Sequence, residues 1–129
     1  MKLITHNLLM CNRKGCTQNN FPLNVAATKF EDFDSEQSLE FTKGLMQRLF
    51  EKLDLAALKK AVLQLGWDLG EVPPAITPDL MENEAFLQQM HHLLIRRQIV
   101  EGQLACPNCE RVYEIKNGIP NMLLREDEV

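Results

Sequence analysis

The chain has 129 residues, 45% of them hydrophobic and 25% charged, with 14 Lys and Arg against 18 Asp and Glu for a formal charge of −4. That length suits one core, or one core with an inserted lobe, and excludes a large multidomain enzyme. The mild acidity argues against a protein devoted to gripping nucleic-acid phosphate, which calls for a strongly basic face.

In chain order, residues 2–10 read as extended, with Leu3, Ile4, Leu8 and Leu9 as apolar positions and a helical alternative from Leu8 onward. Polar His6 and Asn7 interrupt this stretch, and no small-residue cleavage site follows, so no secretory signal is expected. Nor does any stretch reach the roughly 18 apolar residues of a membrane helix. A first cysteine pair, Cys11 and Cys16, precedes a second strand at 21–30, in which Leu23 and Val25 alternate. The acidic stretch 31–36 reads as a solvated linker.

From about Gln37 the period changes from two to 3.6, placing Phe41, Leu45, Met46, Leu49, Phe50 and Leu53 on one helix face. A second helix starts with Asp54 as N-cap, turns Leu55, Leu58, Val62 and Leu65 inward, and stops at Gly66. Residues 66–80, rich in Gly and Pro, read as a loop that Trp67 anchors on the helices. A third helix begins at 77–82, capped by Thr77 or Asp79, and runs through Phe86, Leu87, Met90, Leu93 and Leu94. His91 and His92 sit about 100° apart around it. One packed and one solvated histidine is expected, not a shared ligand pair.

Strand character returns at Ile99, Val100 and Leu104, then again at 112–115 after the second cysteine pair, Cys106 and Cys109. Asn117-Gly118 is a tight-turn signal, and the apolar run 119–124 leads to an acidic end, Glu126, Asp127 and Glu128, read as a solvated tail.

In a reducing compartment the four cysteines would not be disulfides. They fall in two ligand-spaced pairs with no cysteine in residues 17–105. Zinc takes four tetrahedral N or S ligands, and two short turns carrying two thiolates each are a common way to supply them. Pro107 and Asn108 favour a tight turn in the second pair, while Gly15 permits a left-handed residue in the first, where Arg13 and Lys14 offset thiolate charge. A thioredoxin-like redox role for Cys106 and Cys109 is disfavoured, because that motif opens a helix and this one lies between strands. With four sulfurs the zinc would be structural. It would also tie residue 11 to residue 109, so that 1–35 plus 95–129 form one zinc-binding β module and 36–94 an inserted helical domain. The expected class is α+β, with a small antiparallel sheet.

No GxGxxG, GxxxxGK[ST], GxSxG or HExxH motif is present, and the glutamates suggest no acid/base pair, so no enzyme is expected. What is left over is apolar: Leu8, Leu9 and Met10 beside one knuckle, and the run 119–124, in which Pro120 suggests a sheet edge. An exposed apolar edge is a template for a partner's sheet.

These residues also carry a resemblance. The opening Met1-Lys-Leu-Ile-Thr-His-Asn-Leu-Leu9, Phe21-Pro22-Leu23, Met90-His91-His92-Leu93-Leu94 and the ending from Glu101-Gly102 through Cys106-Pro107 to Asn117-Gly118-Ile119-Pro120-Asn121-Met122-Leu123-Leu124 resemble the eukaryotic zinc-binding methyltransferase activator. That family is the small shared subunit of tRNA, ribosomal RNA and translation release factor methyltransferases, and the likeness spans the chain, with 31–80 matching in pattern more than identity. The resemblance implies a non-catalytic subunit. It would form heterodimers with Rossmann-like class I methyltransferases, extend their sheet edge to edge and keep them soluble and competent to bind S-adenosylmethionine, itself held by the partner. It implies Cys11, Cys16, Cys106 and Cys109 as ligands of one structural zinc, and a partner surface on Leu8, Leu9, Ile119, Pro120, Asn121, Met122 and Leu123. tRNA, rRNA or release factor would be met indirectly, with no membrane contact, in cytoplasm and nucleus. The rival reading is a zinc-ribbon RNA-binding protein using Arg13, Lys14, Arg96, Arg97 and Arg111.

Overall fold

The computed structural model of the chain describes residues 1–33, 41–67 and 72–128. Strands β1 (Asn24–Asp32), β2 (Arg97–Ala105), β3 (Val112–Lys116) and β4 (Ile119–Pro120) form one antiparallel sheet in that order. A single turn of helix, α1 (Leu3–His6), precedes β1, and α2 (Lys43–Lys52), α3 (Leu55–Leu65), α4 (Pro78–Met81) and α5 (Glu84–His91) come between β1 and β2. The two ends of the chain therefore build the sheet and its middle supplies most of the helix, as the α+β reading expects.

Local chemistry sets these helices. Thr42, Asp54, Thr77 and Asn83 each accept, through a side-chain oxygen, the amide of the residue three further on, satisfying a donor that the first helical turn leaves unpaired. At the end of α3, Gly66 takes φ +74°, and the Gly66 and Trp67 amides reach back to the Leu63 and Val62 carbonyls. That backbone conformation favours glycine.

On the inner face of the sheet, Val25, Ile99, Leu104, Tyr113 and Ile115 are buried against Met46, Leu58, Val62, Leu87, Met90, Leu93 and Leu94 in one hydrophobic cluster. Burying each of the larger aliphatic side chains contributes on the order of 1.5–3 kcal/mol, so sheet and helices hold each other. Gly102 lies tight against the neighbouring strand: a Cβ there would lie 2.2 Å from the Ala26 carbonyl oxygen. Asn117 and Gly118, at φ +54° and +76°, close the β3–β4 turn with the geometry their sequence predicts.

Several expectations are corrected. Residues 2–10 are not a strand. Only Lys2 bridges to Gln98, after which Leu3, His6 and Asn7 turn one buried face inward at helical spacing. His6 and Asn7 can be inside because the imidazole Nε2–H donates to the Leu23 carbonyl (2.7 Å), while Asn7 exchanges two 2.8 Å bonds with the Asp54 backbone. The strand expected at 21–30 runs instead from Asn24 to Asp32, so Glu31 and Asp32 belong to β1 and not to a linker. Residues 34–36 of that linker, the helix start expected at Gln37 and the loop residues 68–71 lie outside the described residues.

The third helix is two, α4 and α5, broken where Asn83 leaves helical geometry to cap the second, and five residues of π-helix (His92–Arg96) lead into β2. Of its histidines, His91 is packed as expected, and His92 is half-buried rather than solvated. His91 is buried with its ring edge-on to Phe41, and His92 lies 3.2 Å from the Asp32 carboxylate. Trp67 packs against the hydrophobic cluster and also reaches the sheet, its ring 5.1 Å from Phe30 of β1 and beneath the Arg97 guanidinium of β2.

Candidate metal centre and apolar surface

Two loops bring the four cysteines together. In the first, the Cys11 amide donates to the Asn20 carbonyl (3.0 Å), and the Asn20 side chain donates back to the carbonyls of Cys11 (2.9 Å) and Cys16 (3.3 Å). Gly15, at φ +82°, makes the turn that the sequence assigns to it. The second loop follows β2. There the amides of Asn108 and Cys109 aim at Cys106 Sγ (3.4 and 3.5 Å), and the left-handed position falls on Glu110 at φ +64°.

The four Sγ atoms lie within 4.8 Å of one another, with Cys11 to Cys109 at 3.7 Å and Cys16 to Cys106 at 3.5 Å. A tetrahedral ion with metal–sulfur bonds of about 2.3 Å needs sulfur separations of about 3.8 Å, so this set fits a metal ion and is compatible with zinc. All four cysteines are free, and three are buried, with Cys109 half-buried. Desolvation would raise the Cys109 thiol, but the Arg111 amide and the neighbouring sulfurs outweigh it and bring it down to about 7. Burial pushes the Cys106 thiol up. A bound cation would reverse that by favouring both thiolates.

Around the sulfurs lie polar groups that spacing alone did not suggest. The Tyr113 hydroxyl stands 3.0 Å from Cys11 Sγ, and the Asn108 side-chain amide 3.3 Å from Cys16 Sγ. Desolvation, and then the Cys11 hydrogen bond, raise the Tyr113 pKa, which keeps the hydroxyl protonated as a donor. Above the Tyr113 ring, 4.3 Å from its centre, sits the Arg111 guanidinium.

The acidic tail is corrected at Glu128, while Glu126 and Asp127 are exposed as expected. Glu128 is only 2% exposed and its carboxylate is gripped by Arg111 from Nε (2.6 Å) and Nη2 (3.0 Å), with the Arg125 amide at 2.9 Å. Arg111, followed by the Arg125 amide, holds that carboxyl down at about 2. The Lys14 amide donates to the Glu128 carbonyl (2.6 Å), joining the tail to the first cysteine loop. Local sequence carries no sign of this, since Glu-Asp-Glu at a chain end is ordinarily solvated. Arg13 and Arg111 beside the cysteines were the available hint that a buried anion was wanted.

The apolar surface divides. Leu8, Ile119 and Leu123 are 62%, 69% and 81% exposed, and Asn121 is exposed too. Pro120 is half-buried in β4, an edge strand, while Leu9 and Met122 are half-buried against the core. Exposed Met10 and Val112 belong to the same apolar inventory, although the sequence reading placed Val112 only in a strand. The five basic residues of the rival reading are not gathered on one face. Arg13 and Arg111 meet Glu128, whereas Arg96 and Arg97 stand at the opposite end of β2, bonded to the Phe33 carbonyl and the Asp32 carboxylate.

Fold and site together define a small α+β protein built around a four-cysteine centre able to hold a metal ion. A family model described as Trm112p-like protein matches residues 2–118. The multifunctional methyltransferase subunit TRM112 homolog A of Arabidopsis thaliana is 39% identical, and the alignment covers 100% of both chains. The multifunctional methyltransferase subunit trm112 of Schizosaccharomyces pombe is 40% identical over 100% of both, and its Saccharomyces cerevisiae counterpart 34% identical over 96% of both. The chain belongs to the Trm112p-like family. Its fold is similar to that of a chain in the solved E. cuniculi Mtq2-Trm112 complex, with TM-score 0.51, 22% identity and 95% of each chain covered.

Proposed function

We propose that this chain is a non-catalytic subunit that binds Rossmann-like, S-adenosylmethionine-dependent methyltransferases acting on tRNA, ribosomal RNA and translation release factor, and stabilises them in their cofactor-competent form. The carrying observation is the apolar surface at the β4 edge, where Ile119 and Leu123 are 69% and 81% exposed. Side chains that large standing in water beside an outermost strand suit a sheet-edge partner. The names of the relatives support the reading, since each is a methyltransferase subunit. So does the structural neighbour, which belongs to a complex responsible for methylation of the eRF1 translation termination factor.

Activation then needs no catalytic group on this chain. A subunit that binds only the folded, cofactor-competent enzyme stabilises that state by mass action. S-adenosylmethionine is held by the partner, and RNA or release factor is met through it. One structural zinc on Cys11, Cys16, Cys106 and Cys109 supports the module formed by 1–35 plus 95–129, with 36–94 inserted. The order of the elements favours this division, β1 preceding α2 to α5 and β2 to β4 following them. Cytoplasm and nucleus, where thiols stay reduced, are the compartments the reading needs.

The test is co-purification of Leu123→Asp with a co-expressed methyltransferase of this class. The complex is expected to be lost while zinc content stays at the wild-type level, because Leu123 is the most exposed of these apolar side chains and Met122, which packs on the core, is left intact. Full retention of the partner by Leu123→Asp would overturn this assignment of the surface.

A further inference from the structure

A line of contacts runs from the C-terminal turn to the sulfur cluster. The Glu128 carboxylate takes two bonds from Arg111, and that guanidinium covers the Tyr113 ring at 4.3 Å. The Tyr113 hydroxyl in turn stands 3.0 Å from Cys11 Sγ. Glu128 and Tyr113 are 2% and 1% exposed, so water does not compete well for either. Arg111 also donates to the Leu123 carbonyl (3.1 Å), which fixes the backbone of the exposed apolar strip with the same guanidinium.

We propose that the C-terminal turn and the metal centre are coupled through this line, Glu128 and Arg111 acting as positioning residues that hold the Tyr113 hydroxyl on the Cys11 sulfur and so slow metal release. A hydroxyl donated to a thiolate ligand disperses its charge and orients it, and groups in that position are typically worth 10- to 100-fold in metal affinity. The cation over the ring face makes the hydroxyl a better donor. Because coupling between two equilibria is reciprocal, a bound metal favours the docked tail by the same factor and with it the set position of Leu123.

The proposal rests on the metal reading of the four cysteines, and its test separates the two. Zinc is loaded into the full chain, bound zinc per chain is measured, and its transfer to a chromogenic chelator is timed for wild type, Tyr113→Phe, Glu128→Gln and the double variant. Tyr113→Phe keeps the ring and its packing, and Glu128→Gln keeps the shape of the side chain. Each single variant is expected to bind one zinc and to release it about ten-fold faster, with the double variant no faster than the faster single. Arg111→Lys, which keeps the charge but loses the two-pronged bond, should fall between wild type and Glu128→Gln. One zinc per chain with wild-type release from both singles, or with effects that multiply in the double, would overturn the coupling and leave the metal centre standing. Wild-type chain that takes up no zinc would remove the metal reading and the coupling with it.

Discussion

At position 102 there is no room for a side chain. The Ala26 carbonyl oxygen would lie 2.2 Å from a Cβ, and the Ala27 Cα 3.0 Å away. Both are backbone atoms in the strand paired with β2, so relief requires β1 and β2 to part. Gly102→Ala should therefore cost about 2 kcal/mol or more and lower the thermal midpoint by at least about 5 °C. A midpoint within a degree of wild type would mean the strands are not that close. His6 gives a second prediction at this scale. Burial lowers its pKa below the ordinary 6.5, the bond to the Leu23 carbonyl opposing only in part. Above that value both folded and unfolded chains carry a neutral ring, and stability is whole. As the pH falls below it the unfolded chain takes up the proton first, and stability declines. Denaturation midpoints of zinc-saturated protein should drop between pH 7.5 and 5.5 in the wild type, and drop less in His6→Gln, which retains an N–H donor. Equal slopes would show that His6 is not the titrating group.

Among elements, α1 and α3 are joined through a side-chain to backbone contact. Asn7, 4% exposed, accepts from the Asp54 amide and donates to the Asp54 carbonyl at the position where Asp54 caps α3. One buried amide thus fixes the N-terminal turn against the helical segment. Asn7→Ala would leave the Asp54 amide without its partner, while the Asp54 carbonyl keeps the Leu58 amide, at an expected cost of about 1–2 kcal/mol read from urea midpoints. A loss under about 0.5 kcal/mol would mean water replaces the amide without penalty. This joint also marks where element prediction stopped. The apolar periods of α2, α3 and α5 and the caps of α3 were legible because propensity and burial pointed the same way, whereas the Thr42 cap of α2 and the Asn83 cap of α5 were not foreseen. Asp54 and Gly66 fell where expected, and Thr77 proved to be the cap of α4. The segment 2–10 was misread because His6 and Asn7, polar in sequence, are buried by bonds to Leu23 and Asp54, residues 17 and 47 positions away.

For the molecule as a whole, closure of the chain by its cysteines is the decisive feature. The sulfur cluster joins Cys11 and Cys109 across 98 positions, a loop whose ends are costly to hold together without a bond between them. Cys106→Ser is therefore expected to abolish stoichiometric zinc binding and to loosen both cysteine loops, seen as faster amide exchange at Cys11 and Glu110. Chelation at neutral pH should reproduce this in the wild type. Undiminished zinc in Cys106→Ser would show that the metal is held elsewhere.

The spacing of the cysteines, the change of period after residue 37 and the Asn-Gly turn were sufficient by themselves to give a four-cysteine cluster able to hold a metal ion and drawn from both ends of the chain, a helical middle and an α+β class. Those features are local, set by turns of a few residues and by periodic burial. Only the tertiary structure decided that Glu128 is inside, that Leu9 and Met122 pack while Leu8 and Leu123 face water, and that Arg13 and Arg111 serve an internal carboxylate. Burial of a charge depends on partners that arrive from distant parts of the chain, and no window of sequence contains them.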